Sequence, residues 1–173
     1  MKDKIFFAID RFPEAPFYVL AVAYLLKNPF TSIHVFSVAF QYIILSLALG
    51  LMLKAVFKDK RPGEYTTLPL VRYDTPSLHT LVSAGATVYA YIINPVLGFI
   101  LAPFALLYMY SRLHLKVHSG KAVVVGAVAG VLLGFFAGTI LLEYRLPYVL
   151  DYLLFSAFFF ITPFIAALRL KLL

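Results

Sequence analysis

Three short stretches hold most of the residues in this chain that could do chemistry. Lys54 and Arg61 stand seven positions apart. That is two helical turns, so both face the same way while a helix lasts. Pro62 disfavours helical geometry at the residue before it, which places the helix end at Arg61. Cations at such an end serve as snorkelling anchors or as ligands for an anion. Pro76-Ser77-Leu78-His79 comes next. Serine before an apolar run makes a helix N-cap, and a helix N-terminus offers free N–H groups and partial positive charge to a phosphate. His79 then falls in the first turn, with an imidazole able to give a proton to a leaving group. The plainer reading is a surface cap with an incidental histidine. The third stretch supplies Ser111, Arg112, His114 and His118. Arginine makes paired hydrogen bonds to phosphate oxygens, and neutral imidazole is a competent nucleophile toward phosphorus. An unbroken helix would set Ser111, His114 and His118 on one face. Zinc held by His79, His114 and His118 is conceivable. The surrounding cations would repel it and no carboxylate is placed to offset them, so neither a metal nor another cofactor is expected.

These residues need a scaffold, and composition says of what kind. The chain has 173 residues, enough for one domain. It is 62% hydrophobic and 13% charged, against about half and a quarter in soluble domains, and its mean hydropathy is +0.91. That excess reads as an integral membrane protein. The net charge of +7 suits anionic lipid surfaces or a phosphorylated substrate as readily as nucleic acid. The partners expected are the lipid bilayer and a lipid phosphate, with no nucleic acid. The absence of cysteine excludes disulfides and thiol chemistry. The first residues, MKDKIFFAIDRF, carry acids inside the apolar run and do not resemble a signal peptide.

Residues 2–12 suit a short amphipathic helix lying on the membrane. Phe17 to Leu26 is apolar but short of the roughly 20 residues a bilayer needs. Thr31 to Phe57 predicts a long helix; His34, near its start, reads as interfacial. Further helices are expected over Thr80 to Ile93, Val96 to Tyr110, residues 121–142, and Tyr148 to Leu168 with a kink at Pro163. The fold class is therefore all-α: an integral membrane bundle of about six transmembrane helices, one domain over residues 1–173, with the active site at one membrane face. If all six cross, Lys54, Lys58, Lys60, Arg61, Arg72, Arg112, Lys116 and Lys121 gather on one side, opposite Lys27 and Arg145. The positive-inside rule makes that side cytoplasmic unless those charges serve phosphate. Gly126, Gly130, Gly134 and Gly138 recur every four residues. Such a stripe admits a close helix neighbour, within the chain or in a homodimer; a lipid-tail groove is the other use.

Together the three stretches resemble the type 2 phosphatidic acid phosphatase superfamily of membrane lipid phosphatases. Its signature is lysine, six residues, arginine-proline; then proline-serine-glycine-histidine; then serine-arginine, five residues, histidine, three residues, aspartate. The first block is complete in Lys54, Arg61 and Pro62. The second is Pro76, Ser77, Leu78 and His79, with leucine for glycine. The third has Ser111, Arg112 and His118, but Ala122 at the aspartate position. The resemblance covers about residues 30–145. It implies that Lys54, Arg61, Ser77 and Arg112 hold phosphate oxygens, with a backbone N–H near Leu78. His118 would become a phosphohistidine, His79 would protonate the departing oxygen, and water would finish the reaction. A polyprenyl or dolichyl-type diphosphate is the first substrate expected, then phosphatidic acid or phosphatidylglycerol phosphate. A lipid-phosphate carrier without turnover and a phosphotransferase to an alcohol are the alternatives.

Ala122 cannot orient His118 as the family aspartate does. In serine hydrolases, loss of the analogous carboxylate costs about 10⁴ in rate. His118, Ala122 and Gly126 share the four-residue spacing, which puts the alanine where a neighbouring helix presses close. A substitute partner would come from that neighbour, a backbone carbonyl, or Asp59, Glu64 or Asp74. Asp74 or Asp59 is expected, with His114 a further candidate for an orienting or nucleophilic role.

Overall fold

Apolar runs with almost no interior charge become helices throughout. The computed structural model describes residues 15–28, 32–62 and 72–171. They form α1 (Ala15–Lys27), α2 (Ser32–Phe57), α3 (Leu78–Ile93), α4 (Pro95–His114), α5 (Gly120–Phe136) and α6 (Tyr148–Lys171), with a π-helical turn, Ala137–Leu141, extending α5. No strand forms among the described residues. The helix expected at 2–12 lies outside them, as does Glu64.

Among the described residues, three helices are long and apolar enough to cross a membrane: α2 with 26 residues, α4 with 20, and α5 with its π turn, 22. α1, α3 and the stretch Tyr148–Ile161 of α6 are apolar but shorter. Large apolar side chains such as Phe99, Val128, Leu132 and Phe135 face outward, as expected where the surroundings are hydrocarbon rather than water.

The ends differ from expectation in ways that matter for the site. α2 stops at Phe57, where its apolar run ends, and does not continue to Arg61. Lys58 takes a left-handed conformation, φ 52°, and its N–H still reaches the Lys54 carbonyl, a common way to end a helix. α3 begins at Leu78, two residues early, because Ser77 takes the N-cap position. α4 runs to His114, and there it ends: Lys116 is left-handed, φ 54°, and the Val117 and His118 amides turn back to the Arg112 carbonyl. The helix therefore does not continue to His118, and the shared face of Ser111, His114 and His118 does not form. Asn94 closes α3 and opens α4, its side chain accepting from the Val96 N–H with Pro95 in the first turn.

α3 is the centre, packed on α2, α4 and α5, while α6 packs on α2. The glycine stripe explains how α3 and α5 touch. A Cβ on Gly126 would stand 2.7 Å from the Ser77 carbonyl oxygen, and one on Gly138 2.6 Å from the Ile92 side chain. Cβ atoms on Gly130 and Gly134 would collide with the Leu81 and Gly85 carbonyls. All four glycines are buried. The stripe is thus filled within the chain, by α3.

Polar ties hold the bundle at the middle of α2 and at its start. The Tyr42 hydroxyl lies 3.1 and 2.9 Å from the Leu81 and Val82 carbonyls in α3. At the start, His34 sits between the Asp151 carboxylate (2.9 Å) and the Leu142 carbonyl (3.0 Å), and Ser37 donates to Asp151 (2.7 Å). His34 is therefore a buried-side link between α2 and α6 as well as a residue near a helix end.

Candidate active site

The last turn of α2 delivers Lys54, which is fully buried. A buried ammonium needs acceptors, and it finds two: the carbonyls of Tyr73 and, at 3.1 Å, Asp74. Arg61 Nε donates to the same Tyr73 carbonyl at 3.3 Å. The two cations do converge, but through the loop and not through a shared helix face. Lys60 and Tyr73 form an isolated antiparallel bridge, and the Asp74 N–H donates to the Asp59 carbonyl at 2.9 Å. These bonds close the polar segment on itself and set Asp74 beside α2.

Asp74 is buried and faces His118. His118 Nδ1 lies 2.7 Å from Asp74 Oδ1, with both side chains at most 3% exposed. The Ser119 N–H also points at this carboxylate, 3.2 Å from Oδ2. Ser119 caps α5, its Oγ accepting from the Ala122 N–H at 3.2 Å, so the cap that starts the helix also anchors the carboxylate. A carboxylate at Nδ1 fixes the tautomer and leaves Nε2 for chemistry. Burial pushes the His118 imidazole below its ordinary range, and the charges of Arg61 and Arg112 push the same way, while the Asp74 bond opposes them. His118 is therefore neutral near pH 7, the form a nucleophile requires.

Asp59 is engaged elsewhere. Its carboxylate pairs with Lys121 at 2.8 Å near the surface, and that bond holds it below the usual carboxylate range. Of the two expected carboxylates, the structure brings only Asp74 to His118.

Ala122 is fully buried, and its carbonyl accepts from the Ser77 N–H at 2.9 Å. The position where the family has aspartate is here a backbone contact between the starts of α3 and α5. Ser77 is buried at the N-cap position, but its Oγ accepts from Thr80 Oγ1 at 3.1 Å and caps no backbone N–H. Leu78 lies over Gly50 of α2, where any Cβ would collide with it. The leucine thus fills a notch one turn before Lys54 and seats the start of α3 against α2.

His79 lies in the first turn of α3, its ring edge-to-face with Tyr108 at 5.9 Å. Arg112 stands over the Tyr108 ring, 5.0 Å from its centroid, and donates from Nη2 to the Tyr108 hydroxyl. Ser111 Oγ donates to the Tyr108 carbonyl at 2.7 Å. His114 is exposed and stacks on Tyr110 at 5.9 Å; the structure does not place it at Asp74. His79, His114 and His118 form no metal-ligating group among the described residues.

Two contributors were not among the expected residues. Tyr108 stands one turn before Arg112, a spacing from which the contact could have been foreseen. Tyr73 acts through its carbonyl, which side-chain identity does not announce.

The arrangement is a histidine–carboxylate pair ringed by cations and by the starts of two helices, at one end of an apolar helical bundle. Comparison with family models, with curated proteins and with solved structures finds no match for this chain.

Proposed function

We propose that this chain is a multi-pass membrane phosphatase that releases phosphate from a lipid phosphate through a phosphohistidine on His118. All six apolar helices would cross or embed in the bilayer, with the site at one face. The observation that carries this reading is the buried His118–Asp74 pair at 2.7 Å, set among Lys54, Arg61 and Arg112.

The Nε2 lone pair of His118 attacks the terminal phosphorus, and the bond from phosphorus to its leaving oxygen breaks: the lipid oxygen of a monoester, or the bridging oxygen of a diphosphate. His79 gives its proton to that oxygen. Asp74 stabilises the positive charge that develops on the imidazole, as carboxylates do for histidines in acyl transfer. Lys54, Arg61 and Arg112 take up the charge on the phosphoryl oxygens, preorganised by bonds already present in the fold. Water then attacks phosphorus, His79 accepts its proton, and the N–P bond breaks to free His118. The reaction calls for no group beyond these side chains and water.

The substrate is membrane-held: the site lies at the end of an apolar bundle, and the α3–α4 and α4–α5 connections are only Asn94 and residues 115–119. A polyprenyl-type diphosphate is the first choice, and phosphatidic acid or phosphatidylglycerol phosphate the second. The Asp74 bond weighs against a carrier that has lost turnover, since His118 has its orienting carboxylate. Phosphate release from a panel of these lipids tests the reading, comparing the wild type with His118→Ala. Release by the wild type and loss in the variant are expected. Equal release by both would overturn the nucleophile, and release by neither would leave the carrier. Transfer of label to an added alcohol would make it a phosphotransferase.

A further inference from the structure

We infer that Tyr108 is a positioning residue of this site, its hydroxyl holding Arg112 and its ring holding His79. The inference rests on the phosphatase reading, but it starts from a residue outside the three motif stretches. Tyr108 is 3% exposed. Its side chain meets both Arg112 and His79. Arg112 Nη2 donates to its hydroxyl. The Arg112 guanidinium lies over its ring at 5.0 Å. The His79 ring meets it edge-to-face at 5.9 Å.

Each contact restricts a side chain that the chemistry needs in one place. An arginine carries much rotamer freedom, and a bidentate grip on phosphate works only from one fork orientation. The hydroxyl and the ring face together fix that fork: one by a charge-assisted bond, the other by attraction between cation and π cloud. His79 stands on α3 and Arg112 on α4. The aromatic ring between them sets the spacing of the acid and the anion ligand, and edge-to-face packing defines the angle of the imidazole. The Ser111 hydroxyl, bonded to the Tyr108 carbonyl at 2.7 Å, fastens the same turn. Its effect on the reaction passes through its two neighbours, Arg112 and His79.

The hydroxyl and the ring can be removed separately. Tyr108→Phe keeps the ring; Tyr108→Leu removes both. The probe for the first is inorganic phosphate, titrated calorimetrically into the full-length protein in detergent micelles. Tyr108→Phe is expected to weaken phosphate binding about tenfold, the size of one bond to a charged group, with the thermal midpoint close to wild type. In an Arg112→Ala background the same substitution should change phosphate binding by less than about twofold, because residues that act through one another are not additive. Tyr108→Leu should lower kcat for the lipid phosphate that the wild type hydrolyses by a further tenfold or so, the cost of loosening a proton donor, while Tyr108→Phe leaves that part of kcat in place. Tyr110→Phe, on the exposed side, should change neither. If Tyr108→Phe binds phosphate like the wild type, or its effect persists undiminished in Arg112→Ala, the role of the hydroxyl is overturned. If Tyr108→Leu and Tyr108→Phe have equal kcat, the role of the ring is overturned. If the wild type neither binds inorganic phosphate nor releases it from any lipid, the phosphatase reading fails and this inference fails with it; wild-type binding with an unaffected variant sinks Tyr108 alone.

Discussion

His118 Nδ1 and Asp74 Oδ1 lie 2.7 Å apart, although 44 positions separate them in the chain. The carboxylate reaches the histidine from the loop before α3, not from the first turn of α5. That places the partner of His118 on the same segment as Ser77 and His79.

If the pair works as proposed, Asp74→Asn should lower kcat by about 10³–10⁴, the range seen when a histidine loses its orienting carboxylate. Asp59→Asn should leave kcat within a few-fold, because its carboxylate serves an exposed bond to Lys121. Phosphate-release rates of the two variants make the comparison. Similar losses in both would remove Asp74 from its role.

Acidity offers a second check. The proposed reaction needs His118 as neutral imidazole, and its burial, with Arg61 and Arg112, moves its protonation below the ordinary range. The rate should therefore hold as pH falls through the usual imidazole range of about 6.5, and drop only below it. Arg61→Gln removes a charge that lowers the value, so the acid limb should move to higher pH. Asp74→Asn removes an influence that raises it, so whatever activity remains should have its acid limb at lower pH. Profiles of kcat/KM against pH report these directions.

Placing an aspartate at position 122, where the resembled signature has one, should not make it the partner of His118. Ala122 is fully buried, and its carbonyl is bonded to Ser77. Ala122→Asp forces a carboxylate into that contact and should cost about 2 kcal/mol or more. The double variant Asp74→Asn, Ala122→Asp should remain inactive. Thermal unfolding in detergent and phosphate release give the two readings, and recovery of activity in the double variant would contradict this geometry.

Gly130→Ala tests the packing of α3 on α5. Its new Cβ would meet the Leu81 carbonyl, a backbone atom that cannot swing aside. A loss of about 1–3 kcal/mol is expected, typical of overpacking, together with reduced phosphate release because α3 carries His79. The oligomeric state by crosslinking should not change, since the glycines face inward.

Much of the scaffold could be read from the residues. Apolar runs, Asn94-Pro95 and Ser77 mark helices and their ends to within a few positions, because local chemistry decides them. The course of the chain between helices could not be read so. Lys54 and Arg61 meet by way of the Tyr73 carbonyl, and a backbone acceptor has no side-chain signature. Ser111, His114 and His118 looked aligned because a continuing helix was assumed; the left-handed Lys116 ends it, and lysine is not a residue that advertises such a turn. Asp74 and Asp59 were equal candidates in the sequence. What separates them is Lys121, 62 positions from Asp59, and only tertiary structure brings those two together. The glycine stripe predicted a close neighbour without saying which, and that neighbour is α3.

If the substrate is a lipid phosphate, as proposed, one contact limits how its tail could enter. The Ser77 amide is bonded to the Ala122 carbonyl, and below it the α3 and α5 backbones touch turn after turn at Gly126, Gly130 and Gly134. That seam is zipped shut. An acyl or prenyl tail cannot slip between these two helices without unzipping it, and doing so would part the Ser77 amide from the Ala122 carbonyl. Admission of a bulky guest would therefore come from another flank of the bundle, with the packed α3–α5 pair moving as one block.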